Sequence, residues 1–171
     1  MKNKAFTLIE LLVAVLIIGI LAAIAVPQYH KAGDKNRAMQ AIAVLRTVYQ
    51  AAEAFELSTG QWPTDINQLD INIPNLGADP EWSVQVERNG INTVFGVSII
   101  REKGKYKGSK FTIYKQHEYN FIPKGKLLCV EVKKAASTLF SGEQGSYCVK
   151  IFAGKPVYVG DTNWTDIWVL P

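Results

Sequence analysis

Glu10 is the ionisable side chain most at odds with its surroundings, the single charge in an otherwise apolar run from Phe6 to Val26. A carboxylate at membrane depth costs on the order of 3 kcal/mol. Left unpaired in an apolar medium it stays costly, and an adjacent positive charge offsets that cost. Two cysteines, Cys129 and Cys148, stand late in the chain, separated by a polar segment containing Gly and Ser. An even pair behind a membrane-targeting segment fits a disulfide in an oxidising compartment, worth about 3 kcal/mol for a loop of this size. Two buried thiols with no bond are the alternative. Zinc is not implied, because His30 and His117 are remote in sequence from both cysteines and two Cys alone do not complete a tetrahedral site.

The remaining chemistry is sparse. Arg101, Lys103, Lys105, Lys107, Lys110 and Lys115 interleave with Tyr106, Phe111 and Tyr114. Basic and aromatic side chains together hold nucleic acid through phosphate neutralisation and base stacking, which makes Arg101, Lys103, Lys105, Lys107 and Lys110 a candidate ligand or DNA surface. The favoured reading is a hairpin, REKGKYKGSK, whose turn is solubilised by lysine and whose aromatics pack inward. GEQGSY lacks the Lys-Ser/Thr of a phosphate loop, and Asp161, Asp166 and Glu143 lack the close oxygen spacing of a calcium loop. No catalytic constellation, metal site or cofactor is expected. The net charge of +4 is that of a slightly basic surface and implies little about nucleic acid by itself.

The elements that position these residues fall into two solvents. The 21 positions from Phe6 to Val26 match the ~20 residues that span a bilayer as a helix. Lys2 and Lys4 precede them, keeping that end cytoplasmic by the positive-inside rule. The run continues without a small-residue cleavage site into a polar helix, the layout of an anchor rather than a secretory signal. Pro27 removes one helical hydrogen bond and Gly33 weakens the next turn, marking a kink or a meltable segment. Beyond it Ala38, Ala41, Leu45, Val48, Ala52 and Phe55 recur at steps of three and four, an amphipathic stripe. A helix from about Phe6 to Leu57 is roughly 75 to 80 Å long. It ends at STGQWPTD, where Gly60 suits a C-terminal cap and Pro63 blocks continuation. A short helical turn over 64–69 and a loop through Pro74, Gly77 and Pro80 follow. The periodicity then becomes two: INTVFGVSII, KFTIYKQ, EYNFIP, KLLCVEV, SYCVKIF, PVYVG and TDIWVLP read as short antiparallel strands. KKAASTLFSG is read as a short helix. A sheet whose apolar face covers the helical stripe gives an α+β domain.

The stretch KNKAFTLIELLVAVLIIGILAAIAVPQY resembles the N-terminus of type IV prepilins and of the related pseudopilins of type II secretion: a short basic leader, Phe6, the FTLIELL core and Pro27 just past the apolar run. The resemblance covers about the first thirty residues. It implies a pilin-like α+β fold: a long N-terminal helix packed on an antiparallel sheet, with a C-terminal disulfide loop between Cys129 and Cys148. The expected divisions are a leader over 1–5, a transmembrane and filament-core helix over 6–27, its amphipathic half over 28–57, and a globular periplasmic or extracellular domain over 58–171. The resemblance also implies cleavage between Ala5 and Phe6 by a prepilin peptidase and methylation of the new amine of Phe6. Gly is usual before the cut, and this chain has Ala5 there.

Glu10, fifth after that cut, then has an expected partner. In a dry filament core it would pair with the Phe6 amine, most usefully a neighbouring subunit's, so that correct stagger leaves no charge alone. The implied partners are other copies and other pilins, the peptidase, an inner-membrane assembly platform, and lipid before assembly. The implied location is a single-pass inner-membrane helix with a cytoplasmic N-terminus, then a pilus at the cell surface. Adhesion, twitching movement and DNA uptake are roles the resemblance implies for the fibre. Its alternatives are a periplasmic pseudopilus subunit and a minor pilin that binds DNA or another ligand.

Overall fold

The computed structural model of the chain describes residues 7–73, 81–88, 94–132, 139–159 and 165–171. Its elements are α1 (Leu8–Thr59), a single 3-10 turn (Ile66–Gln68), and strands β1 (Trp82–Arg88), β2 (Phe95–Arg101), β3 (Ser109–Gln116), β4 (Leu127–Glu131), β5 (Lys155–Tyr158) and β6 (Asp166–Val169). Two compact units divide the chain, one ending at Arg37 and one formed by Ala38–Pro171.

In the first unit the described residues belong almost entirely to α1, and the large apolar side chains are open to the surroundings, from Leu8 at 82% to Val26 at 52%. The helix is long and apolar enough to cross a membrane. α1 continues through Pro27 and Gly33, so the main-chain bond that proline forgoes is lost inside a helix rather than at its end.

In the second unit the predicted stripe is the buried face: Ala38, Ala41, Leu45, Val48 and Ala52 are each at most 5% exposed, Ile42 joins them at 3%, and Phe55, the last predicted position, is only partly buried. Gly60, at φ +76°, caps the helix, and its N–H donates to the Glu56 carbonyl at 2.7 Å. The Ile66–Gln68 turn opens on a capping box, the Asp65 carboxylate accepting from Asn67 and the Gln68 amide oxygen accepting from the Asp65 N–H. All six strands form one antiparallel sheet in the order β1-β2-β3-β4-β6-β5. Alternation sends Val97, Ile99, Phe111, Ile113, Cys129 and Trp168 into the cluster that holds the α1 stripe. Tyr114, Leu128, Val130 and Val132 form a second cluster with Ile122, which the loop after β3 supplies.

Two predicted strands are turns, and one strand went unread. EYNFIP lies in the irregular loop between β3 and β4, where Ile122 is buried while Tyr119 and Phe121 stay 46% and 51% exposed. SYCVKIF is turn: Val149 and Lys150 donate to the Gly145 carbonyl and Ile151 to that of Tyr147, and a buried side chain takes the N–H groups at its start. Gly145, Tyr147 and Cys148 all donate to the Glu131 carboxylate. WSVQVER, at the sheet edge, is β1, with Trp82, Val84 and Val86 packed on the main cluster. KKAASTLFSG falls mostly outside the described residues, as does the loop through Pro74, Gly77 and Pro80.

Candidate functional site

Glu10 is the third residue of α1 and Thr7 stands just before the helix. The Glu10 carboxylate accepts from the Thr7 N–H at 2.8 Å and from its hydroxyl at 2.6 Å, while the Glu10 N–H approaches the Thr7 hydroxyl oxygen at 3.4 Å. This is a reciprocal capping box. It satisfies donors that an apolar medium leaves orphaned at a helix start. The carboxylate therefore stands at the head of an apolar face formed by Ile9, Val13, Ala14 and Ile17. Thr7 was the residue the sequence reading missed, although T-x-x-E before an apolar run carries the signature. The predicted cleavage pair, Ala5 and Phe6, lies outside the described residues.

Cys129 and Cys148 are joined by a disulfide, with Cα atoms 5.6 Å apart. Cys129 sits in β4, paired with Phe111 and Trp168 on the two neighbouring strands. Cys148 sits in the turn whose amides converge on Glu131. Both cysteines and Glu131 are fully buried.

The basic set is split by the fold. Arg101 is 2% exposed, ion-paired with Glu81 at 2.8 Å, with its guanidinium carbon 5.6 Å from the Trp82 ring centre and 5.9 Å from that of Tyr106. Lys110 reaches Glu87 at 2.7 Å, a carboxylate that also accepts from the Ser98 hydroxyl at 2.6 Å. Lys105 and Lys107 are exposed on the β2–β3 turn with Lys103 half-exposed, while Tyr106, Phe111 and Tyr114 are buried. Arg101 and Lys110 are thus committed to internal pairs, and the exposed lysines belong to a solvated turn. His117 stacks edge-on against Tyr114 with ring centres 4.7 Å apart, and His30 lies on α1 beside Tyr29. Asp161 is outside the described residues. Asp166 is buried, whereas the Glu143 side chain is 89% exposed. Among the described residues no group of three or more His, Cys, Asp or Glu could hold a metal.

The buried ionisable groups set a pH dependence. Burial alone would lower Lys110, but Tyr114 and Glu87 outweigh it and hold the ammonium above its ordinary value. Burial raises Tyr114, and burial with Glu53 raises Tyr49 to about 12. Groups raised in the fold contribute stability that is full below their unfolded values and lost as pH rises through the folded ones. On the acid side two carboxylates oppose each other. Burial favours protonation of Glu87, but Lys110 and Ser98 outweigh it and lower its value, so its contribution is lost on acidification. Burial raises Glu131 despite its amide donors, so its contribution is present at low pH and lost as pH rises through its folded value. Urea titrations of the full chain in detergent therefore show midpoints falling as pH rises toward the Tyr49 value of about 12, and falling on acidification as Glu87 is protonated.

Residues 1–26 match the prokaryotic N-terminal methylation motif. The chain is 37% identical over 115 residues to a fimbrial protein of Pseudomonas aeruginosa, covering 63% of this chain and 72% of that one. It is 29% identical over 117 residues to the type IV major pilin protein PilE1 of Neisseria gonorrhoeae, covering 68% and 70%. A fimbrial protein of Neisseria meningitidis is 29% identical over 165 residues, covering 96% of this chain and 80% of its own length. An apolar helix headed by a capped carboxylate, a helix stripe on an antiparallel sheet, a disulfide near the C-terminus and these likenesses converge: the chain belongs to the type IV pilin family, as a structural pilus subunit.

Proposed function

We propose that the chain is made as a membrane-anchored precursor, cut between Ala5 and Phe6 by a prepilin peptidase, methylated on the Phe6 amine, and polymerised through its N-terminal helix with the help of an inner-membrane assembly platform. The precursor holds its N-terminus in the cytoplasm and the finished fibre stands at the cell surface. The observation that carries this reading is Glu10, the one carboxylate at the head of an open apolar helix face. Before assembly Thr7 satisfies it. In a filament core, where apolar helices replace lipid, the charge has a stronger partner in the amine that processing creates. The pairing is most useful between subunits, because one axial stagger then leaves neither charge unpaired. Small residues such as Gly19 and Ala23, four apart on this helix, let sister helices approach closely. The stretch around Pro27 and Gly33 is where the helix yields during that packing.

Peptide mass spectrometry of fibres sheared from cells tests the processing steps. The expected N-terminal peptide begins at N-methylated Phe6. Chains that retain Met1 to Ala5 and stay in membranes would show that Ala5 blocks the cut, and the protein would then be a membrane-anchored domain.

A further inference from the structure

Glu131 is a buried carboxylate with an unfavourable neighbour. It is 0% exposed and lies directly across from Asp166, also 0% exposed, in the β4–β6 ladder. Two acidic side chains in one dry position are costly unless other contacts compensate. For Glu131 three main-chain donors supply part of that compensation. One oxygen accepts from the Gly145 N–H at 2.6 Å, and the other accepts from Tyr147 and Cys148, each at 3.1 Å. Gly145, at φ +72°, gives the turn the left-handed step that lets successive N–H groups converge on one anion.

The two halves of the disulfide differ in how they are held. Cys129 is fixed by a central strand with neighbours on both sides. Cys148 lies in a turn that belongs to no strand, and its main chain is tied by its own N–H to Glu131 and by its carbonyl to the Gly154 N–H at 2.9 Å. Glu131 is only two residues beyond Cys129 in the same strand and faces the same cluster side. Tyr147 anchors the turn through its buried ring, packed on Tyr106 and Phe111, and Glu131 is the side chain that ties the main chain at Cys148 directly to the strand of Cys129.

We propose that Glu131 is the positioning residue for closure of the C-terminal loop: its carboxylate seats the 145–148 turn on the sheet before the sulfurs are joined, and oxidation then locks a loop already docked. The closing chemistry is thiol–disulfide exchange with a small disulfide such as oxidised glutathione. One cysteine thiolate attacks it, forming a mixed disulfide and releasing one thiolate. The second cysteine thiolate attacks the protein sulfur of that mixed disulfide and releases the other. Two protein thiols are oxidised, one glutathione disulfide is reduced to two glutathiones, and the two protons pass through solvent. Docking raises the effective concentration of the second thiol for that second step.

The test uses the full chain in detergent micelles. In a Cys129→Ser/Cys148→Ser variant, hydrogen exchange at the amides of 145, 147 and 148 stays at least about 10-fold slower than in the same variant carrying Glu131→Gln, while the amides of β2 and β3 remain protected in both. In the cysteine-containing chain, Glu131→Gln shifts the equilibrium with glutathione at least about 10-fold toward the dithiol. Free exchange at 145–148 with Glu131 present and the sulfurs gone overturns the proposal, as does an unchanged glutathione equilibrium. Loss of protection throughout the sheet in the cysteine-free variant also overturns it, because the covalent bond would then be what holds the loop.

Discussion

Glu10→Ala leaves the chain in the membrane and removes it from sheared filaments, with recovery falling by at least about 100-fold. Insertion does not suffer, since deleting a carboxylate at membrane depth relieves a cost on the order of 3 kcal/mol. Assembly does suffer, because an amine buried opposite alanine has no counter-charge. Breaking a buried pair costs about 3–5 kcal/mol, and each 1.4 kcal/mol is about tenfold in an equilibrium constant. Glu10→Gln separates the cap on Thr7, which the structure shows, from the pairing with the Phe6 amine that is proposed for assembly. Glutamine also closes a capping box on Thr7, so a purely local role predicts near-normal filaments from Glu10→Gln. The pairing role predicts that Gln fails as Ala does. Immunoblots of membrane and sheared fractions from the two mutants read the difference directly.

Gly108→Ala unfolds the second unit at markedly lower urea, by at least about 2 kcal/mol, the range expected for a non-glycine residue forced into a left-handed conformation. Two independent observations require glycine there. Its φ is +79°, and a Cβ would come within 2.2 Å of the main chain at Leu139 and Phe140. A backbone neighbour cannot rotate away as a side-chain tip does. The same place is where the lysine turn meets the disulfide loop: the Ser141 N–H donates to the Lys107 carbonyl at 2.9 Å, its hydroxyl to the Lys105 carbonyl at 3.0 Å, and the Val132 N–H to the Gly108 carbonyl at 3.3 Å. The loss thus spreads to both segments. A urea midpoint equal to that of the parent chain would contradict this account of the junction.

Periodicity carried the parts of the fold whose determinants are local. The α1 stripe, the glycine cap at Gly60 and the hairpin of β2 and β3 follow from spacing and from residues that only certain turns accept. SYCVKIF alternates like a strand but folds as a turn whose later N–H groups bond locally, and whose start is held by Glu131, fourteen positions before Gly145 in sequence. No window of local alternation contains that contact. WSVQVER alternates as an edge strand does, but it follows a stretch rich in proline and glycine, where loop signals dominate the sequence. The basic cluster shows a different limit. Composition marked Arg101 and Lys110 as surface charges, yet Glu81 and Glu87 meet them from strand β1 and its threshold, pairs that only sheet register creates. At the N-terminus the sequence exposed Glu10 as anomalous but not its immediate partner, although Thr7 is only three residues away. Its partner is a neutral hydroxyl and N–H, to which charge complementarity does not point.

The central claim is that this chain builds a filament through its N-terminal helix, and electron cryomicroscopy of fibres sheared from native cells tests it most directly. The account predicts a repeating unit with the six-stranded sheet of this fold on the outside. The apolar helices pack together along the axis, and each Glu10 carboxylate lies about 2.7–2.9 Å from the Phe6 amine of a neighbour, the length of a charge-assisted hydrogen bond. Fibres in which Glu10 faces solvent, or whose subunits are held together without the N-terminal helices, would contradict it.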